Sequence, residues 1–177
     1  MRRFAIYFFV VVVLLSLSGC YPVTRGPWKG KVVDANTKAP IEGAVVVAVW
    51  EKSTFGGPGG PVESYFDAKE TLTDKDGNFE FPTYKYMHYE FIRAMTGPNF
   101  TIFKPGYGSY PNYQVSPTDL HDVFKHEVTV VELPKLTDND KRLWSMMEAR
   151  TGAPREKTPK FYELINIERK NLGLPQF

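Results

Sequence analysis

"TLTDKDGNFEF", residues 71–81, is the stretch on which the fold turns. Asp74 and Asp76 stand one residue apart just ahead of Gly77, as at the start of a calcium loop. A calcium loop of the EF-hand kind needs glycine at its sixth position and acidic ligands at its first and twelfth. With Gly77 sixth, Leu72 falls first and Thr83 twelfth, and neither carries a carboxylate. The turn reading asks for less. Asp76-Gly77 is a strong short hairpin signal. After it, Phe79 and Phe81 alternate with Asn78 and Glu80, the period of a half-buried strand. The stretch is therefore expected to be a tight hairpin turn and not a metal site.

Working outward, "WKGKVVDA" (28–35) reads as a strand, and "NTKAPIEG" (36–43) is rich in turn formers. "AVVVAVW" (44–50) is a continuous apolar run, too short for a free-standing helix and rich in β-branched residues, so it reads as a buried strand. "FGGPGGP" (55–61) holds four glycines and two prolines and reads as a loop. "KETLT" (69–73), "YEFIRAM" (89–95), "NFTIFK" (99–104) and "HEVTVVELP" (126–134) complete a series of about seven short strands, with "PGYGSYPNY" (105–113) as a loop. The series predicts an all-β sandwich, not a βαβ fold. "NFT" (99–101) matches a glycosylation sequon but reads as strand sequence.

Beyond residue 134 the period changes. "TDNDKRLWSMMEARTG" offers Thr137 or Asp138 as N-cap, with Leu143, Trp144 and Met147 on one face. "TPKFYELINIERKNLG" offers Thr158 as N-cap, Pro159 at the first helical position and Gly173 past the end. Phe161, Leu164, Ile165 and Leu172 form its apolar stripe. Two short amphipathic helices are expected, packed on the sandwich over an edge or open end.

Four segments follow one another in the order of a known family. They are Gly30-Lys31-Val32-Val33-Asp34, then Pro40-Ile41-Glu42-Gly43-Ala44-Val45-Val46, then Thr73-Asp74-Lys75-Asp76-Gly77-Asn78-Phe79, then Pro105-Gly106-Tyr107, with a valine-rich strand closing the series. Together they resemble carboxypeptidase regulatory-like domains over residues 28–134. The resemblance implies a transthyretin-like sandwich of about seven strands. It also implies an accessory, stability or adhesion module without an active site. The segments around 55–62 and 84–88 depart from a minimal domain of this kind.

The beginning of the chain carries a different signal. Arg2 and Arg3 precede an unbroken apolar run over 4–15. A membrane-spanning helix needs about 20 such residues, so the run reads as a secretory signal peptide over 1–19. Leu17-Ser18-Gly19-Cys20 resembles the lipobox of bacterial lipoproteins, which implies diacylation of the Cys20 thiol and cleavage before it. Cys20 is the sole cysteine, so no internal disulfide is open to it. Two or more acyl chains give stable anchoring where one does not. The expected organisation is a signal peptide (1–19), a lipidated tether (20–27), the sandwich (28–134) and a helical extension (135–177). The expected location is the cell envelope, lipid-anchored. In a Gram-negative host that means the outer membrane, facing the periplasm or the surface.

Without residues 1–19 the chain keeps 158 residues, with 20 basic and 20 acidic side chains. That balance gives no basic face, so nucleic acid is not an expected partner. The histidines are His88, His121 and His126. His121 and His126 are five apart, which separates them by about 140° on a helix and places them on opposite faces of a strand. Asp119 and Asp122 beside them add only a polar, loop-like character. No H-E-x-x-H, H-x-H or G-x-S-x-G pattern occurs. No catalytic residue, metal site or cofactor is therefore expected; an enzyme with a loop-cleft site is the alternative.

Six of the ten tyrosines fall in "YKYMHY" (84–89) and "YGSYPNY" (107–113). Such side chains present an apolar ring with a polar tip. Tyr107, Tyr110 and Tyr113 are the candidates for a face that contacts an envelope protein or a glycan; the competing reading is that they simply pack as sheet and loop residues.

Overall fold

A computed structural model of the chain describes residues 20–55, 57–89, 94–112 and 129–177, together with Tyr7. Eight strands are described: β1 (Cys20–Arg25), β2 (Trp28–Asp34), β3 (Val45–Phe55), β4 (Pro61–Leu72), β5 (Asn78–Phe81), β6 (Tyr84–Tyr89), β7 (Ala94–Phe103) and β8 (Thr129–Leu133). Two short helices follow, α1 (Asn139–Glu148) and α2 (Pro159–Asn171).

The strands form two three-stranded sheets, ordered β5-β2-β8 and β4-β3-β7, and a separate β1-β6 ribbon. In the first sheet β2 runs antiparallel to β5 and parallel to β8. In the second, β3 runs antiparallel to both neighbours. The two sheets enclose one apolar core. Val32, Phe79, Phe81, Val131 and Leu133 come from one side, and Val46, Ala48, Trp50, Phe100 and Ile102 from the other. This is the sandwich that the alternating strands predicted.

The apolar run at 44–50 has a specific cause. Successive side chains of a strand point to opposite faces. Val46, Ala48 and Trp50 enter the inter-sheet core, while Val45, Val47 and Val49 enter a second core with Ala68 and Phe103. That second core is closed by Met146, Ala149, Phe161 and Ile165 of the helical segment. The strand is apolar on both faces because both faces are covered, and each fully buried valine is worth roughly 1.5–3 kcal/mol. The helices thus lie over the outer face of β4-β3-β7, not over an edge or open end.

Residues 71–81 form a turn, but not a hairpin. β4 belongs to one sheet and β5 to the other, so the turn is a corner between layers. Thr73 drives the crossing. Its buried hydroxyl donates to the Ile41 carbonyl at 2.6 Å and accepts from the Ala44 N–H at 2.9 Å. Asp74 then organises the reversal, its Oδ1 accepting from the N–H groups of Asp76 and Asn78 at 2.9 and 2.8 Å. Gly77 sits at φ +78°. A Cβ there would lie 2.4 Å from the Val32 carbonyl oxygen.

The helices begin and end as their chemistry dictates. Asp138 caps α1 by accepting from the Lys141 N–H at 2.9 Å. Pro159 opens α2, but the Thr158 side chain does not cap it. Glu70 of β4 does so instead, accepting from the N–H groups of Lys160 and Phe161 at 2.8 and 3.0 Å. α2 ends in a Schellman motif, with Leu174 N–H on the Arg169 carbonyl and Gly173 N–H on that of Lys170. The expected apolar face of α1 is not the buried one. Ser145 and Met146 are buried, whereas Trp144 and Met147 are exposed.

Candidate functional site

Three regions carry the chemistry the sequence singled out: the ribbon, the tyrosine loop and the helical layer. The ribbon begins at Cys20, whose backbone pairs with Tyr89, and closes at Arg25 opposite Tyr84. The expected tether over 20–27 is therefore a paired strand for most of its length. Six residues of strand span about 20 Å. Its root is fixed by aromatic packing. The Tyr84 ring stacks on Trp50 at 5.1 Å, and Trp28 meets Trp50 edge-on at 5.7 Å. Lys69 Nζ lies 5.1 Å from the Tyr84 ring centroid. The Tyr84 hydroxyl is pushed above the usual phenol range by burial and by the negative charge of Asp67. The Trp50 indole N–H is buried and without a hydrogen-bond partner among the described residues. Tyr84 thus works as a structural anchor.

The tyrosine loop does not assemble the expected face. Tyr110 is 5 % exposed and belongs to the inter-sheet core. It bridges to Ile102, with its N–H donating to the Ile102 carbonyl at 2.9 Å. A ring committed to the core is not presented to a ligand, and burial raises the pKa of its hydroxyl. Tyr107 is half-buried and packed against the same core. Its hydroxyl is pushed up by burial and by Asp34. Its carbonyl accepts from Ser145 Oγ at 3.2 Å, so its backbone serves to seat α1. Tyr113 lies outside the described residues, as do residues 1–6 and 8–19, His121 and His126. His88 falls within β6, opposite Tyr21.

The helical layer holds features that the sequence reading missed. Glu168 is only 1 % exposed and accepts two hydrogen bonds from Arg142, Nε to Oε1 at 2.8 Å and Nη2 to Oε2 at 2.7 Å. The paired carboxylate raises the pKa of the guanidinium. This fork joins α1 to α2. Ser109 Oγ donates to the Ser145 carbonyl at 3.1 Å, and Thr101 Oγ1 to the Arg150 carbonyl at 3.0 Å, so α1 is seated on the sheet by polar bonds as well as apolar contact. The only hint in the sequence was an arginine and a glutamate on neighbouring helices, a common pairing with no distinguishing spacing.

A groove of about 320 Å³ opens between the helices and the segment 149–153. Its floor is formed by Met146, Ala149, Phe161 and Ile165. The residues that follow α2 return over it, placing the Phe177 ring against Tyr162 and Arg169.

Among the described residues, no group of three or more histidines, cysteines, aspartates or glutamates is placed to hold a metal ion. Asp74 spends its carboxylate on backbone N–H groups, chiefly that of Asn78, which lowers its pKa. No described helix is long and apolar enough to cross a membrane. No protein-family model, no curated protein and no solved structure matches this chain.

Proposed function

We propose that this protein is a lipid-anchored module of a bacterial cell envelope, acylated at Cys20 and acting by structure or binding, not catalysis. The observation that carries the reading is Leu17-Ser18-Gly19-Cys20, placed directly after an apolar signal run and containing the chain's sole cysteine. The described architecture is compatible with such an anchor. Strand β1 begins at Cys20 and leads straight to the sandwich, so an acyl group there would sit at the far end of the ribbon from the core.

The finer identity of the fold, a transthyretin-like domain of the carboxypeptidase regulatory-like kind, is part of this proposal. Its support is that the matching motifs fall at structural corners. Asp34 accepts from the N–H groups of Asn36 and Thr37 to close the turn after β2. Thr73 and Gly77 make the crossing between sheets. Pro105-Gly106-Tyr107 reverses the chain after β7. The partner is an envelope protein or a glycan.

Metabolic labelling with an alkyne fatty acid tests the anchor. Wild-type chain is expected to take up label and to partition with membranes. Cys20→Ala is expected to lose both. Equal labelling of the two would remove the basis of the proposal.

A further inference from the structure

One side of the groove between α1 and α2 is formed by the chain's own Phe177. Phe177 is 63 % exposed. Its ring lies edge-on to Tyr162 at 6.3 Å, with the guanidinium of Arg169 at 4.2 Å and that of Arg155 at 6.0 Å from its centroid. It is held lightly. Its N–H donates to Asn166 Oδ1 at 2.9 Å, and Arg169 Nε donates to the Pro175 carbonyl. An aromatic ring resting on an apolar groove while still mostly in water has gained only part of the burial that the groove can give.

The charged side chains that line the groove share one sign. Arg150 and Arg169 are the charged side chains on its lining, and Arg155 stands over the same phenylalanine. Arg142 nearby is satisfied by Glu168, but none of Arg150, Arg155 and Arg169 has a carboxylate partner among the described residues. Guanidinium groups bind carboxylates through paired, geometrically specific bonds. Along α1 the exposed Trp144 lies one turn from Met147, which itself lines the groove. Tryptophan and arginine are the residue types that dominate binding energy at protein interfaces, and methionine adapts to varied partners.

We propose that this groove is a docking site for a peptide segment bearing an aromatic side chain beside carboxylates, and that Phe177 occupies the aromatic position until such a partner displaces it. The apolar floor takes the ring, and Arg150 and Arg169, whose Nε groups already donate to the Met147 and Pro175 carbonyls, offer their remaining N–H groups to the acids. The Phe177 ring beside the groove supplies the argument for an aromatic occupant, and the arginines without a carboxylate partner supply the argument for an acidic one. A groove covered about half of the time, as suits a lightly held ring, binds its partner about twofold more weakly than one left open.

Fluorescence anisotropy of the full chain tests this with a fluorescein-labelled peptide in which one phenylalanine is flanked by aspartates. Phe177→Ala is expected to bind it about twofold more tightly than wild type. Asn166→Ala, which frees the Phe177 N–H, is expected to tighten binding in the same direction. Arg150→Gln is expected to weaken it. Matching far-ultraviolet circular dichroism and melting curves are expected for all four proteins, since none of these side chains is buried. A control peptide with lysine in place of aspartate is expected not to bind. Equal affinity of wild type and Phe177→Ala would overturn the proposal. So would equal binding of the lysine peptide, or binding of anionic phosphatidylglycerol vesicles in the absence of peptide binding.

Discussion

Replacing Gly77 with alanine tests the corner that joins the two sheets. The residue sits at φ +78°, where an L side chain costs about 1–2 kcal/mol. The new methyl group would also lie 2.4 Å from the Val32 carbonyl oxygen. That oxygen has little room to yield, because it accepts from the Ile41 N–H at 3.0 Å while the Val32 N–H donates to the Gly77 carbonyl at 2.8 Å. Relieving the clash strains these bonds, which adds about 1–3 kcal/mol. With the reduced entropy of the unfolded chain set against it, the total is about 3 kcal/mol, and for a chain of this size that lowers the melting temperature by about 9 °C. Gly152→Ala isolates the backbone part. Gly152 has φ +66°, and a Cβ there meets no atom within 4 Å. Its loss is about 1 kcal/mol, the conformational cost less the reduced entropy of the unfolded chain. Thermal melts of both variants, followed by circular dichroism, decide the matter. Equal losses at the two positions would refute the steric argument and leave only backbone conformation.

Three other variants probe the helical layer and the turn after β2. Arg142→Met leaves the Glu168 carboxylate buried and unpaired, and urea unfolding is expected to show a loss of about 3–5 kcal/mol; the double variant with Glu168→Leu is expected to recover much of it. Glu70→Gln removes the charge that caps α2, so hydrogen exchange at Lys160 and Phe161 is expected to quicken, with a stability loss of about 1 kcal/mol and no change at Lys141 of α1. Asp34 accepts from the Thr37 and Asn36 N–H groups, and the Thr37 bond contributes most to lowering its pKa. A folded-state pKa below the unfolded one gives stability that is full above about pH 4 and fades as pH falls through the folded value. Asp34→Asn is therefore expected to lower stability at neutral pH and to flatten the acid limb of the stability curve below about pH 4.

Local chemistry in the sequence carried further than connectivity did. The turn at 74–78 was legible because its residues act on their own neighbours. What those residues do not encode is which sheet the outgoing strand joins. That depends on Thr73 reaching Ile41 and Ala44, about 30 positions away. The run at 44–50 announced burial on both faces, but the cover on its second face is the helical pair. The buried side of α1 misled a count of apolar residues because a serine is needed there. Ser145 Oγ reaches the Tyr107 carbonyl, and the Ser145 carbonyl accepts from Ser109. β1 was hidden by Pro22 and Pro27, which read as a tether. A two-stranded ribbon consists only of edges, where a proline is tolerated. Of the candidate site residues, the tyrosines were recognisable as a cluster. Whether a given ring serves the core or the surface is set by cross-strand pairing such as Tyr110 with Ile102, which composition does not carry.

The path of the chain out of the ribbon has a mechanical consequence. β1 runs into β2, and β2 is the central strand of its sheet, paired with β5 over four positions and with β8 over five. A pull applied at residue 20 passes through β1 and residues 26–27 into the first residue of β2. To extract that strand, the load must shear both flanking ladders together, because their bonds lie side by side across the direction of force. The same pull delivered to β5 or β8 would meet one ladder only. The end of the chain proposed to carry the anchor is thus coupled to the one strand of its sheet that is held on both sides.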